Sequence, residues 1–192
     1  MKIKSTELIA DLIKSTKNLK EIVEEKFVHL SDSELNHKPN PDAWSITQCL
    51  EHLNLYGDYY LEAMQNAMQK SNAGSETIFK SGMIGNYFAN VMLPKQDDTV
   101  KKMEAPKPQN PSLHKDIKLS RKTVMRFISQ QEHMLDLLEM ARDKNLNKIR
   151  IPITIAKWMK LRLGDTFRFN VNHNIRHIKQ AERVLGKKVL SL

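Results

Sequence analysis

His173 and His177 stand four residues apart in the run Asn172-His173-Asn174-Ile175-Arg176-His177, and a third histidine of interest, His52, follows Glu51 far upstream. A spacing of four places two imidazoles on one helical face, about 6 Å apart along the axis, where both can bind one metal ion. Two nitrogens leave the coordination sphere incomplete. The pair therefore matters only if a third donor arrives from elsewhere in the chain. Asn174, not Glu, follows His173, which removes the zinc-protease reading of a His-Glu-x-x-His helix. On these residues alone, a metal role and a pair of satisfied core histidines stand side by side.

The elements that would position these rings are helical. From Thr6 to His29 the residues Leu8, Leu12, Leu19, Ile22 and Val23 recur at helical spacings, which predicts a first long helix. Ser31 with Glu34 is a capping-box pattern for a short turn of helix, and Pro39-Asn40-Pro41-Asp42 then breaks the path. Ser45 with Gln48 is a second capping box, with Trp44 placed outside it as a staple. A helix is expected from there to about Lys70. Its apolar stripe is Ile46, Leu50, Leu53, Leu61 and Met64, and His52 lies at the stripe's edge beside Cys49, Tyr56 and Tyr59, in a half-buried position.

Residues 71–111 hold three of the glycines and four of the prolines, and such a length is enough to cross a helical bundle. Within this connection the run Met83 to Leu93 is too apolar to be solvated, and a packed excursion is preferred over a lid. A third long helix is predicted over Ser112–Asn145, with Ile117, Val124, Phe127, Met134, Leu138 and Ala141 inward. Ile149 to Leu163 is ambiguous: Ile151, Ile153 and Ile155 alternate like extended chain, whereas Trp158, Met159 and Leu161 suit a tight turn. A fourth helix starts near Gly164-Asp165-Thr166, with Asp165 a suitable first-turn residue, and ends near Gly186.

Projected at about 100° per residue, this last helix has Phe167, Val171 and Ile178 on one edge of its inward arc and Phe169 and Val184 on the other. Between them lie Asn170, His173, Asn174, His177 and Ala181. Burying such polar groups without partners costs about 1–3 kcal/mol each, and a metal with bound water satisfies them economically. The stripe Arg168, Asn172, Arg176, Lys179 and Arg183 centres roughly 120° away and is not expected to face the histidines.

Composition bounds the rest. With 192 residues and 40% hydrophobic content, one domain over residues 1–192 is the expectation. Charge interrupts the apolar residues of the N-terminus and no apolar run reaches membrane-spanning length, so a soluble cytoplasmic protein without membrane partners is expected. The single cysteine, Cys49, fits a reducing compartment and reads as core, although one turn before His52 it could supply a soft fourth ligand. His133 reads as a surface residue. The net charge of +9 is local, because residues 144–188 hold 12 Lys or Arg against 2 acids. No aromatic residues interleave the basic stripe and no recognition motif is present, which disfavours a nucleic-acid partner.

Trp44-Ser45-Ile46, then Glu51-His52-Leu53, then Leu163-Gly164-Asp165 leading into His173-x-x-x-His177-x-x-Gln180 resemble the DinB/YfiT-like superfamily of metal-dependent enzymes. The resemblance spans most of the chain, helix by helix. It implies an all-α fold, a four-helix bundle with a long crossover connection between helices 2 and 3. It also implies a divalent ion held by His52, His173 and His177, with zinc or nickel as the expected transition metal. Gln180, and beside it Asn170 and Asn174, are candidates to hydrogen-bond around those ligands.

Three neutral imidazoles and an open position can activate a bound water or deprotonate a coordinating thiol. A hydrolase would want a carboxylate beside the water. Glu51 points away from His52, and Asp165 is two turns from His173. Transfer of a low-molecular-weight thiol to an electrophile needs no such base, and the resemblance implies it through bacillithiol transferases and a mycothiol-dependent isomerase. The alternatives are a metal-dependent hydrolase and a non-catalytic, stress-related binding protein. The same resemblance makes a homodimer an option, though no exposed stripe demands one.

Overall fold

A computed structural model describes residues 1–93, 104–113, 118–154 and 156–189, with the backbone alone for 157 and 187–189. Ile117, Ile155 and His114 lie outside the described residues.

The fold is all-α with two short antiparallel ribbons. Strand β1 (Lys2–Lys4) leads directly into α1 (Ser5–Lys26), whose Leu8, Leu12, Leu19 and Val23 are buried as their spacing requires. A single turn, α2 (Asp32–Leu35), and the long α3 (Ile46–Lys70) both open on the predicted capping boxes. In the second of these, Ser45 Oγ accepts from Gln48 N at 3.2 Å while Gln48 Oε1 accepts from Ser45 N at 3.1 Å. Ile46, Leu50, Leu53, Leu61 and Met64 are all buried.

The connection after α3 is not an unstructured excursion. It forms β2 (Ile78–Lys80), which pairs with β1 so that Phe79 lies opposite Ile3, and then α4 (Met83–Met92). Only part of the run expected to pack does so. Ala89 and Met92 are buried, whereas Met83 is 91% exposed and Tyr87 57%.

The third long helix, α5 (Arg121–Met140), starts nine residues later than the sequence predicts. Ser120 caps it, and Asp32 Oδ1 accepts from Arg121 N at 2.8 Å, so two donors of its first turn are satisfied only when it begins there. Pro111 instead opens a short 3-10 turn over Pro111–Leu113. At the other end, Ala141 is buried within a 3-10 turn. The ambiguous segment is a hairpin of β3 (Arg150–Ile153) and β4 (Ala156–Arg162), whose Trp158 is exposed. Helix α6 (Leu163–Val189) follows without a loop and continues past Gly186.

Both α1 and α3 pack against α5 and α6, and α4 packs along α6. The α4–α6 contact is polar at its heart. Asp165 and Arg168 are buried, and Asp165 accepts from Ser81 Oγ, from Gly82 N at 2.8 Å and from Arg168 Nη1 at 3.4 Å. Arg168 also donates to Ser81, Asn86 and Asn90 at 2.9–3.1 Å, and Asn172 Nδ2 donates to the Ala89 carbonyl at 2.8 Å. A β-carbon on Gly85 would meet Asp165 side-chain atoms at 2.4–2.5 Å, so the helices approach this closely only because position 85 is glycine.

Removing the carboxylate leaves a buried guanidinium without its counter-charge and the α4 N-terminus without its acceptor. Asp165→Ala is therefore expected to lower unfolding free energy by about 3–5 kcal/mol, read from urea denaturation. A loss below about 1 kcal/mol would show that the pair contributes no more than an exposed one.

Candidate metal centre

Helix phase sets where the rings point. Residues 51 and 52 differ by about 100° around α3, so Glu51 turns to α5, where Arg126 Nη1 donates to it at 3.1 Å, while His52 turns to α6. His52, His173 and His177 are all buried, and their nitrogen donors lie within 4.8 Å of one another. His52 is more enclosed than its position at the stripe's edge suggests, because residues 104–113 close over it.

A backbone carbonyl fixes the tautomer of one ring, and a side-chain amide placed with its oxygen toward a second ring matches it. A carbonyl can only accept, so His52 Nδ1–H donates to the Gln109 carbonyl at 2.6 Å. His177 Nδ1 likewise meets Gln180 Oε1 at 2.9 Å. Both therefore present an Nε2 lone pair inward, and His52 Nε2 faces His173 Nε2 at 3.1 Å. In the metal-free protein His173 can donate across that gap. With that proton gone, lone pairs converge on one point, and 3.1 Å is close to the edge of about 3.3 Å expected for a tetrahedron with metal–nitrogen bonds of about 2.0–2.1 Å. The donor set fits a divalent ion.

Burial holds these rings neutral. It is the largest cause that brings His52 down to about 4, with the Arg176 charge adding to it, and it pushes His173 and His177 well below the ordinary range. Neutral imidazole is the ligating form. Aromatic rings wrap the cluster: Trp44 lies 4.9 Å from His52 and 5.8 Å from His177 between centroids, Tyr56 lies 4.6 Å from His173, and Phe169 stacks on His173 at 5.6 Å. Trp44 is thus a wall of the site.

The cluster opens on a cavity of about 220 Å³, walled by these aromatics with Phe88 and Met92 of α4. Two charged residues that the sequence reading did not assign to the site line it. One is Arg176, which corrects the expectation that the basic stripe faces away from the histidines. Lys179 and Arg183 are exposed as expected, but α4 covers that side of α6, and the long Arg176 side chain, only 7% exposed, bends along the surface into the cavity. Its proximity to His177 was the available signal. The other is Glu104, for which no local pattern exists, as for the Gln109 carbonyl, since any residue can offer a backbone oxygen.

The remaining candidates lie outside the cluster. Gln180 is on His177. Asn170 Nδ2 donates to the Thr166 carbonyl and Asn174 Nδ2 to Gln131 Oε1, at 2.8 and 3.0 Å. Cys49 is buried, and its thiol is pushed up to about 12 by burial. His133 is half-buried and bonded to Gln65 at 3.1 Å, not a plain surface residue.

Fold and site together define an all-α protein with a three-histidine group that could hold a metal ion. The sequence model of the DinB superfamily matches residues 16–181, and the chain belongs to that family. No curated protein and no solved structure matches it. Among the described residues, no helix is long and apolar enough to cross a membrane.

Because the folded imidazoles titrate below the 6.5 of an unperturbed histidine, the unfolded chain takes up protons first as pH falls. The stability due to neutral burial is complete above that value and is lost as pH drops from about 6.5 toward the folded His52 value of about 4. In chelator-treated protein the denaturation midpoint should fall over this interval, and His52→Gln should flatten the fall. A midpoint constant from pH 7 to 5 would contradict neutral burial.

Proposed function

We propose that the protein is a metal-dependent enzyme built as a four-helix bundle, α1, α3, α5 and α6, with the long crossover between α3 and α5. In this reading His52, His173 and His177 hold a divalent transition ion, zinc or nickel, and the enzyme transfers a low-molecular-weight thiol to an electrophile. The observation that carries it is the convergence of three neutral imidazoles on the wall of an aromatic-lined cavity. A bound ion supplies acidity there, stabilising the thiolate form of a thiol at neutral pH.

The chain's own residues supply the rest. Gln109 and Gln180 fix the ring orientations. The aromatic walls exclude water and desolvate the sulfur nucleophile. The nearest acids in sequence are committed elsewhere, Glu51 to Arg126, Glu182 to Lys26 and Asp165 to Arg168, which supports a reaction that needs no carboxylate base. Glu104 supports a second reading, because among the described lining residues it is the one acid. With Glu104 as general base the same centre would hydrolyse its substrate.

Metal analysis of the purified protein, with conjugation of cysteine to 1-chloro-2,4-dinitrobenzene as the assay, separates these readings. The expectation is one ion per chain, conjugation lost with chelator, metal affinity at least tenfold weaker in His177→Ala, and affinity about 10–100-fold weaker in Gln180→Ala. Glu104→Gln should leave conjugation intact. Metal uptake without conjugation, together with ester hydrolysis that Glu104→Gln removes, would favour the hydrolase; no metal uptake would refute the centre itself.

A further inference from the structure

Two helical stripes face each other along the cavity. On α3, His52, Tyr56 and Tyr60 recur at every fourth residue, and on α6, running the other way, His177, His173 and Phe169 do the same. Their rings pair rung by rung, at 4.6 Å for His52 with His177, 4.6 Å for Tyr56 with His173 and 5.8 Å for Tyr60 with Phe169 between centroids. The imidazoles therefore occupy one end of the ladder. Tyr60 stands at the other, about 12 Å further along α3 at a rise of about 1.5 Å per residue. Thr154, in the turn between β3 and β4, lines the cavity beside that end.

The hydroxyl hydrogens at this end can be counted. The Thr154 backbone N–H donates to Tyr60 Oη at 3.3 Å, and the Thr154 hydroxyl lies within hydrogen-bonding reach of both the Tyr56 and the Tyr60 phenol. Tyr59, the neighbour in sequence, spends its hydrogen on the Pro152 carbonyl at 3.3 Å. Among the described residues, no carbonyl or carboxylate accepts from Tyr56, Tyr60 or Thr154. Phenols and alcohols keep their hydrogens at neutral pH. Three hydrogens shared over two contacts between oxygens leave one over, and a buried donor without an acceptor is costly. The group is thus arranged to donate to whatever fills the cavity.

Size and wall chemistry narrow that occupant. A volume of about 220 Å³ exceeds the roughly 150 Å³ that accepts benzene in an apolar protein cavity and falls below the roughly 300–1,000 Å³ of pockets for larger ligands. A single neutral donor among aromatic rings suits an uncharged oxygen acceptor, because an anion placed there would need more donors than this end offers. We propose that Tyr56, Tyr60 and Thr154 form a subsite that donates one hydrogen bond to the carbonyl oxygen of a small, uncharged, ring-sized ligand. This deepens the proposed function and rests on it only for the ligand's role. In that reading the carbonyl compound is the electrophile, its oxygen held at the hydroxyl end and its body extending toward the three imidazoles.

Infrared spectroscopy and calorimetry with isotope-labelled acetophenone test this, on both chelator-treated and zinc-loaded protein. The control ligand is α-methylstyrene, in which a methylene group replaces the carbonyl oxygen. In both forms of the protein the carbonyl stretch of bound acetophenone should lie below its value in hexane. Replacing all three hydroxyls, in Tyr56→Phe/Tyr60→Phe/Thr154→Val, should return the stretch to the hexane value and weaken acetophenone at least tenfold, with α-methylstyrene binding and zinc stoichiometry unchanged. A stretch that matches hexane in the native protein, no binding of acetophenone at millimolar concentration, or a shift that survives the triple variant would each overturn the proposal. The native measurement needs no variant to fold. Acetophenone held by the hydroxyls in a protein that takes up no zinc or conjugates no thiol supports the subsite and refutes the proposed reaction. Conjugation without a shifted stretch refutes the subsite alone, so the two failures are distinguishable.

Discussion

Three imidazoles buried at one point are an arrangement that folding alone disfavours. Each ring loses its water, and each exposes two nitrogens of opposite requirement, a donor and an acceptor. The structure meets the donors outward, through the Gln109 carbonyl and Gln180, and turns acceptors inward toward a common centre. A single shared proton between His52 and His173 is the most that the metal-free cluster can place there. The other elements follow from this demand: a long α3 and α6 to carry the rings, a returning segment at residues 104–113 to offer a carbonyl, and aromatic walls to fill what the rings leave.

Rotation of α3 is fixed from its far side. Glu51 and Asn54 face α5, where Arg126 donates to Glu51 and the Thr123 carbonyl accepts from Asn54 Nδ2 at 3.1 Å. Since one residue is about 100° of turn, holding Glu51 against α5 aims His52 at α6. The same logic governs α6. Its core arc presents His173 and His177 to α3, and its flank presents Arg168 and Asn172 to α4. The polar lock between α4 and α6 keeps Phe88 and Met92 over the cavity, so an apolar wall rests on a buried ion pair.

What the sequence made legible was local. Capping boxes at Ser31 and Ser45 involve atoms three residues apart, and the inward arc of α6 needs only helical period, so both were readable and both are present. The His173/His177 pair was readable for the same reason, whereas His52 as its companion came from family resemblance. What was hidden is non-local. The start of α5 depends on Asp32, 89 positions upstream of the amide it accepts from. The β1–β2 ribbon joins residues 2–4 to residues 78–80, neither stretch long enough to show alternation. Arg176 was misassigned because a helical wheel gives the direction of a β-carbon, not the reach of a long side chain under a covering helix.

That last point bears on how charge is used in this chain. A basic excess in the last third of the sequence looks like a surface property, yet two of its members, Arg168 and Arg176, are buried on the same flank of α6 and do different work. Arg168 is neutralised by Asp165 and holds α4. Arg176, two turns further on, meets a carbonyl of α4 and opens onto the cavity. An arginine whose charge is balanced within the fold serves the fold. Arg176 adds its field to the burial that already holds His52, His173 and His177 neutral, and neutral imidazole is the form whose lone pair can ligate a cation.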